Sequence, residues 1–281
     1  MTEYTIREVE SRRDLKKFIR FPLELYKGCD QYVPPLFKGQ EHELMHAAPL
    51  KYCTRKMWIV EDAGGKVVGR ICAMINPRYN EKYGKKRVRF GWFDLINDMK
   101  VAQMLFEAAE SWAKAEGMDE IHGPLYYNTL GRQGMLVEGF DKLAPFSCIY
   151  NYPYYVDIVT GLGFEKECDW IQYMMPADQG VDERMTAIAE RMMARYKIHV
   201  ADFDELKKDP ENIRKFFKAY NESFDGIVHN FIPFTDEEIE EEVKQIIGQL
   251  DSRLCCVLMD EDNEVAAFGI STACVSRAMQ K

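Results

Sequence analysis

The stretch FGWFDLINDMKVAQMLFEAAESWAKAEGM, residues 90–118, decides the fold class. Its first seven residues are rich in aromatic and branched side chains and complete a strand predicted over residues 87–96. Apolar residues then recur at i, i+3 and i+4 spacing from Val101 to Trp112, which predicts an amphipathic helix. Asp98 is a good N-cap residue for this helix, and Gly117 is a good residue to end it. A strand that leads directly into a helix is typical of α/β folds.

The neighbouring segments extend this unit to a mixed sheet flanked by helices. KMWIVEDAGGKVVGRICAMI (56–75) predicts a β-hairpin, and DEIHGPLYY (119–127) predicts a strand after the helix. YYVDIVTGLGFEKECDWIQYMM (154–175) predicts a short helix that ends at Leu-Gly-Phe, followed by a last strand over Cys168–Met175. Because consecutive strands interrupt the alternation of strand and helix, we expect an α/β (α+β) fold with a mixed central sheet.

The second part of the chain repeats the first at a constant offset of 198 residues. Leu15 matches Ile213 and Asp62 matches Asp260 at this offset, with the same spacing between helix and hairpin. We therefore expect two tandem copies of one fold, over residues 1–178 and 198–281. The second copy lacks a counterpart of the helix at 98–117, so we expect a truncated second copy in a fragment of a longer protein.

A linker helix is expected between the copies, over residues 179–197. It carries apolar side chains on one face, which predicts packing into a core. These side chains are Met185, Ile188, Ala189, Met192 and Tyr196.

Composition narrows the function classes. The net charge of −9 argues against a nucleic-acid surface, which needs clustered Lys and Arg. The one basic cluster, Lys85-Lys86-Arg87 with Arg89, is interpreted as a solvated turn before a strand, with a phosphate contact as the alternative. No apolar run approaches the roughly 18 residues that a membrane span needs, so we expect no membrane insertion.

The eight cysteines show no C-x-x-C spacing, and several lie in apolar, strand-like runs. We therefore expect buried, reduced thiols in a cytoplasmic protein.

The order of elements resembles that of the GNAT superfamily of acyl-CoA-dependent N-acyltransferases. The residues that carry the resemblance are 90–118 and 154–175, quoted above. FPLELYKGCDQYVPPL (21–36) and GMLVEGFD (134–141) further resemble a bacterial group of tandem GNAT-like proteins. The resemblance covers residues 1–175 and, more weakly, 198–275. It implies transfer of an acyl group from acetyl-CoA or another acyl-CoA to a small-molecule amine or a peptide, by direct attack of the amine on the thioester.

The resemblance also implies where the donor binds. In this family acyl-CoA enters where the fourth strand separates from its neighbour, and its pyrophosphate lies on the N-terminus of the next helix. The loop at 96–102 contains no glycine, and Asp98 as an N-cap would occupy the same N–H groups and repel phosphate. The expected cofactor-binding residues are Asp94, Leu95, Ile96, Asn97, Met99 and Lys100. The main-chain groups of Asp94 to Ile96 are expected to pair with the pantetheine arm of the donor.

Candidate catalytic and acceptor residues follow from the same resemblance. The tyrosine that donates a proton in the family aligns with Val159, so Tyr155 in the same helix is the candidate acid. Glu138 is the candidate general base for the acceptor amine. Polar residues of the long loop and the last helix are expected to bind the acceptor, namely Asn128, Arg132 and Tyr152.

Three alternatives remain open on the sequence. HELMH (42–46) fits the zinc motif H-E-x-x-H, although the segment lies between Pro35 and Pro49 and we expect no metal. The glycine-free loop favours a non-catalytic binding or scaffold module. A relative of the Fem-type aminoacyl or peptidyl transferases would keep the tandem architecture with a different donor.

Overall fold

The computed structural model describes residues 3–176, 180–245 and 247–281. The chain forms two compact units. The first comprises Met1–Cys168 together with Cys274–Lys281, and the second comprises Asp169–Ala273.

The first unit contains a five-stranded sheet in the order β1-β2-β3-β4-β5. The strands are β1 (Tyr4–Glu8), β2 (Thr54–Asp62), β3 (Val67–Ile75), β4 (Arg87–Leu95) and β5 (Glu120–His122). Neighbouring strands are antiparallel except for β4 and β5, which are parallel. The expected mixed sheet is therefore confirmed. β5 is shorter than the predicted strand over 119–127, since pairing with β4 stops at His122.

Five helices cover the two faces of this sheet. They are α1 (Arg12–Leu25), α2 (Phe37–Met45), α3 (Pro77–Tyr83), α4 (Met99–Ala115) and α5 (Tyr154–Gly161). Side chains of α4 and α5 pack with Val60, Ile71 and Phe90 in one core, and α1 and α2 pack with Ile59, Cys72 and Met74 in another. The alternation of strand side chains between two faces explains why both faces of the sheet are apolar.

The second unit contains a three-stranded sheet in the order β6-β7-β8. The strands are β6 (His199–Val200), β7 (Cys255–Met259) and β8 (Val265–Ile270). The helices of this unit are α6 (Glu183–Tyr196), α7 (Phe203–Leu206), α8 (Pro210–Phe224) and α9 (Asp236–Gln245), and α10 (Ser276–Met279) belongs to the first unit. The second unit has its own hydrophobic core, to which α8 contributes the buried side chains of Ile213, Phe216 and Phe217.

Two predictions about the middle of the chain were wrong. Cys168–Met175 is irregular rather than a strand, and Tyr173 and Met174 are more than four-fifths exposed. Without a neighbouring strand to pair with, its backbone groups gain nothing from extended pairing. The predicted core face of α6 is exposed as well, since Met185, Ile188, Met192 and Tyr196 are each at least 44% exposed.

The cysteines follow the prediction only in part. Cys53 and Cys72 are buried, and burial raises the pKa of the Cys72 thiol to about 12. Cys168, Cys256 and Cys274 are exposed instead. Among the described residues, none of the eight cysteines forms a disulfide bond. Of the helices that the structure describes, none is long and apolar enough to cross a bilayer.

Candidate active site

The candidate site lies where β4 leaves β5. The two strands pair over three residues each, ending at His122. Beyond this point Phe90 O still accepts a hydrogen bond from Leu125 N, at 2.8 Å. The register between β3 and β4 then shifts between Arg70 and Cys72, which makes a β-bulge in β4. The bulge therefore follows the point at which β4 and β5 stop pairing.

Trp92 occupies this bulge with a φ of 44°, an uncommon conformation for a bulky residue. Its indole stacks on Tyr126 at a centroid distance of 3.6 Å, and its Nε1 donates to Gln40 Oε1 at 2.9 Å. Gly91 precedes it at a close approach, where an added Cβ would lie 2.6 Å from Leu125 O. Packing from α2 and from the loop after β5 therefore holds the bulge in place.

Asp94 and Arg70 form a buried ion pair beside the bulge. Asp94 is 8% exposed and Arg70 is 4% exposed. Arg70 Nε and Nη2 each lie 2.7 Å from Asp94 Oδ2, and Arg70 Nη1 donates to Phe18 O at 2.8 Å. Burial lowers the pKa of Arg70, but the Asp94 carboxylate and nearby tyrosines outweigh burial and leave this pKa raised. The Arg70 guanidinium is therefore charged in the folded protein and holds the Asp94 carboxyl group at hydrogen-bond distance.

A chain of hydroxyl groups connects Asp94 to the main chain of β4. Tyr26 Oη donates to Asp94 Oδ1 at 3.0 Å and lies 3.0 Å from Tyr155 Oη, which accepts from Leu95 N at 3.0 Å. Because an ionised carboxylate only accepts, Tyr26 donates to Asp94 and Tyr155 donates to Tyr26. Burial raises the pKa of both tyrosines well above 10, with Asp94 adding to the effect.

A cavity of about 40 Å³ opens beside this chain. Asp94, Tyr155 and Arg70 all line it, together with Arg132, whose Nη2 donates to Phe146 O at 2.7 Å. Aromatic side chains supply further walls, namely Tyr32, Trp92, Tyr126 and Tyr150. Since a water needs about 10–15 Å³, the cavity suits a small reacting group rather than an acyl chain.

The main-chain groups expected to bind the donor are already paired. Leu95 N donates to Tyr155 Oη, Leu95 O accepts from Tyr154 Oη at 2.7 Å, and Ile96 N donates to Val68 O at 2.9 Å. A pantetheine arm can pair with Leu95 only if the two tyrosine hydroxyls give up these hydrogen bonds.

The N-terminus of α4 carries a carboxylate, as the sequence predicted. Asp98 Oδ1 accepts from Lys100 N at 2.9 Å, and Asp98 Oδ2 accepts from Tyr4 Oη at 2.8 Å. Asn97 and Met99 are exposed beside it. A negative charge at this position competes with a phosphate for the same N–H groups.

The predicted acceptor residues are not brought together. Arg132 lines the cavity, but Asn128 Oδ1 accepts from Leu130 N and Gly131 N in a turn outside it. Tyr152 packs its ring 5.0 Å from that of Tyr26, also outside the cavity lining. Glu138 is exposed on the loop and does not line the cavity.

The zinc alternative can also be compared with the structure. His42 and His46 lie on and just after α2, with ring centroids 6.0 Å apart. Across the described ranges, no group of three or more His, Cys, Asp or Glu side chains is placed to hold a metal ion.

Sequence reasoning missed two residues of the site, Tyr26 and Arg70, whereas Tyr154 was expected to point into the cleft from the last helix. Arg70 had a readable signal, because a charged residue inside the apolar strand VVGRICAMI must be paired when it is buried. Tyr26 had no such signal, since its partner Asp94 lies 68 residues away.

Two curated proteins are similar to the chain over most of its length. Protein YghO of Escherichia coli (strain K12) is 29% identical over 272 residues, which cover 92% of the chain and 68% of that protein. The bacterial ceramide synthase of Caulobacter vibrioides (strain NA1000 / CB15N) is 28% identical over 254 residues, which cover 88% of the chain and 64% of that protein. The chain thus spans about two thirds of the length of these relatives.

No family model matches the chain. Among solved structures, a tandem GNAT protein from the clavulanic acid biosynthesis pathway matches with a TM-score of 0.50 and 10% identity. The match covers 95% of the chain and 73% of that protein. The chain therefore has the GNAT-like fold that its sequence predicted.

Proposed function

We propose that the protein is an N-acyltransferase that moves an acyl group from acyl-CoA to an amine. The observation that carries the proposal is the hydrogen-bonded chain Asp94–Tyr26–Tyr155 at the point where β4 separates from β5. Its two ends both line the cavity. A carboxylate and a neutral phenol at opposite ends of one chain supply a base and an acid for the same reaction.

The chemistry balances through this chain. The acceptor amine attacks the thioester carbon, a C–N bond forms, and the C–S bond breaks. Asp94 takes the proton that the amine loses, and Tyr155 gives a proton to the leaving thiolate. The proton on Asp94 then returns to Tyr155 through Tyr26, which restores the starting state. Arg70 holds the Asp94 carboxyl group in position between turnovers, through its hydrogen bond to Oδ2.

Two observations favour a second candidate, a non-catalytic binding module. The Asp98 carboxylate opposes a pyrophosphate at α4, and the tyrosine hydroxyls occupy the main chain of Leu95. A module of this kind would bind its ligand without turning it over. The two candidates therefore differ in turnover, which an assay measures directly.

The acceptor class is a separate part of the proposal. A ceramide is an amide of a fatty acid with a long-chain amine, and one relative of the chain is named a bacterial ceramide synthase. We include long-chain amines among the acceptors for this reason, beside short amines and peptides. Cysteines that form no disulfide bonds fit the reducing environment of the cytoplasm, where we propose that the protein acts.

The test is an assay of amide formation on the purified protein. Acetyl-CoA and palmitoyl-CoA are each combined with a short amine, a peptide and a sphingoid base, and products are detected by mass spectrometry. A thiol reagent is unsuitable because the protein itself has eight cysteines. Amide formation with any pair supports the proposal. Binding of acyl-CoA by calorimetry without amide formation favours the binding module, and neither binding nor turnover rejects both candidates.

Variants assign the chemistry to the named residues. Asp94→Asn and Tyr155→Phe are each expected to lower kcat by about 100-fold or more, the range for loss of acid–base catalysis. Asp141→Asn and Tyr196→Phe are the matched controls, because both side chains are exposed outside the cavity. Near-UV circular dichroism checks that each variant is folded. Unchanged kcat in the two site variants would show that the acid and the base lie elsewhere.

A further inference from the structure

A second polar cluster lies on the same face of the sheet as α1 and α2, outside the candidate active site. It centres on Arg89, which is buried at 4% exposure, although the sequence predicted a solvated turn there. Its Nη1 donates to Tyr126 O and Tyr127 O, each at 3.2 Å, and its Cζ lies 4.5 Å from the ring centroid of Tyr79. Within the described residues, no carboxylate lies within ion-pair distance of Arg89.

The other edge of this guanidinium is free. Arg89 Nε and Nη2 are buried and have no hydrogen-bond partner among the described residues. These two N–H groups point the same way and form the fork that holds two oxygens of one anion. Arg7 uses the same two atoms to hold the two oxygens of Glu61, at 2.8 and 3.2 Å. Arg70 likewise turns Nε and Nη2 toward Asp94.

Two further side chains in this part of the fold, Arg55 and Asn76, also carry buried N–H donors without a partner among the described residues. Arg55 and Arg89 flank Met74 in one cross-strand row of the sheet, so both side chains start from the same face. Arg55 Nε is buried without a partner in the part of the chain that the structure describes, and so is the Asn76 amide nitrogen. Asn76 and Arg89 both contact Tyr79. Asn76 Oδ1 accepts a hydrogen bond from Tyr79 N, and the Arg89 guanidinium lies over the Tyr79 ring.

Charge and burial together call for a counter-ion. Burial lowers the pKa of Arg89, against the opposing effect of nearby tyrosine and cysteine side chains. A cation–π contact offsets only part of the cost of burying a guanidinium, and buried charges are ordinarily paired. Arg55, Asn76 and Arg89 thus each carry a buried N–H donor that has no acceptor among the residues that the structure describes.

We propose that the free edge of Arg89 is a binding site for a small oxyanion, of the phosphate or carboxylate class. The ligand would place two oxygens on Arg89 Nε and Nη2, with Arg55 adding a second positive charge nearby. Near-complete burial restricts the ligand to a small anion rather than a macromolecule. The proposal is independent of the acyl-transfer chemistry proposed above.

The test is calorimetric titration of the purified protein with phosphate, sulfate and acetate at constant ionic strength, with chloride as the reference salt. We expect saturable binding of one equivalent of at least one oxyanion. At 100-fold excess over Kd, that oxyanion should raise Tm by about 5 °C. Absence of saturable binding by the unmodified protein overturns the proposal without any variant.

Three variants locate the site. Arg89→Met removes the fork and should abolish binding. Arg89→Lys keeps a charge without the fork and should weaken binding by about tenfold or more. Arg13→Met is the control, because Arg13 is exposed on α1. This variant should bind the oxyanion as the unmodified protein does. Undiminished binding by Arg89→Met would place the anion elsewhere and overturn the proposal.

Discussion

The β2–β3 hairpin and the β7–β8 hairpin share a turn and a register but differ in the chemistry of the strand after the turn. Asp62 Oδ1 accepts from the main-chain N–H groups two and four residues later, and Asp260 Oδ1 does the same. The irregularity in register falls at Glu61 opposite Val67 in one hairpin. It falls 198 residues later in the other, at Met259 opposite Val265.

The difference appears where the first unit builds its site. Arg70 places its guanidinium 4.9 Å from the ring centroid of Phe18. At the positions 198 residues further along, Phe268 packs against Phe216 with ring centroids 5.0 Å apart. An aromatic pair thus takes the place of a cation on an aromatic ring. Tyr26 has Phe224 in its place, so the second unit lacks that hydroxyl group as well.

This comparison separates what the scaffold needs from what the site needs. The same helix and hairpin fold around an apolar residue at the position of Arg70 and around a phenylalanine at the position of Tyr26. A buried ion pair is often no more stabilising than apolar residues of similar size. We infer that Arg70 and Tyr26 serve the chemistry of the first unit rather than its folding.

The largest expected effect comes from breaking the ion pair of the first unit on one side only. Arg70→Met leaves Asp94 buried and unpaired, which should lower the free energy of unfolding by about 3–5 kcal/mol. Arg70→Met combined with Asp94→Leu should recover most of this loss, because no charge is left buried. Urea unfolding followed by tryptophan fluorescence measures both, since three of the four tryptophans lie in the first unit. Equal losses in the single and double variants would contradict the inference.

The next effect comes from giving the first unit the residue of the second. Tyr26→Phe interrupts the chain between Asp94 and Tyr155, so kcat for acyl transfer should fall by about 100-fold. The free energy of unfolding should fall by about 1.5–3 kcal/mol, because Tyr26→Phe removes the hydrogen bonds to Asp94 and Tyr155 but leaves the ion pair between Arg70 and Asp94 in place. Phe224→Tyr is the reciprocal control and should leave kcat unchanged. A Tyr26→Phe variant with full activity would remove Tyr26 from the mechanism.

A smaller effect is expected from the helix caps. Asp98→Asn keeps an N-cap side chain on α4 but removes the charge that opposes phosphate, so the affinity for acetyl-CoA should rise by about tenfold. Asp209 caps α8 in the same way, accepting from Glu211 N at 2.9 Å. Asp209→Asn therefore serves as the matched control, with no change in affinity. Calorimetry measures both, and weaker binding by Asp98→Asn would show that Asp98 contacts the donor favourably.

The sequence predicted the elements of this fold better than it predicted the site. Local signals carried the elements, as in the cap at Asp98 and the hairpin turn at Asp62. The last strand was wrong because alternation of apolar residues cannot show whether a neighbouring strand is present, and Tyr173 is exposed.

The site depends on contacts between distant parts of the chain. Asp94 was expected to contribute its main chain, yet its carboxylate contacts Tyr26 and Arg70, 68 and 24 residues away. Arg89 was predicted to be solvated because Lys85, Lys86 and Arg87 lie close before it in the sequence. Of these three, only Arg87 lies in β4 with Arg89. No local pattern reports pairings of this kind, because they arise from the packing of helices on the sheet.

The smallest effect compares the two hairpins at the feature that they share. Asp62→Ala and Asp260→Ala each remove two hydrogen bonds from an exposed turn, and each should destabilise its own hairpin by about 1 kcal/mol. Hydrogen exchange measured by mass spectrometry on peptides from 54–75 and 255–270 should then accelerate by about fivefold in the altered hairpin alone. Each variant is the control for the other, since the unaltered hairpin should exchange as before. If only Asp62→Ala had an effect, the shared turn would stabilise the first unit but not the second. The two hairpin turns would then have the same geometry but would not contribute equally to stability.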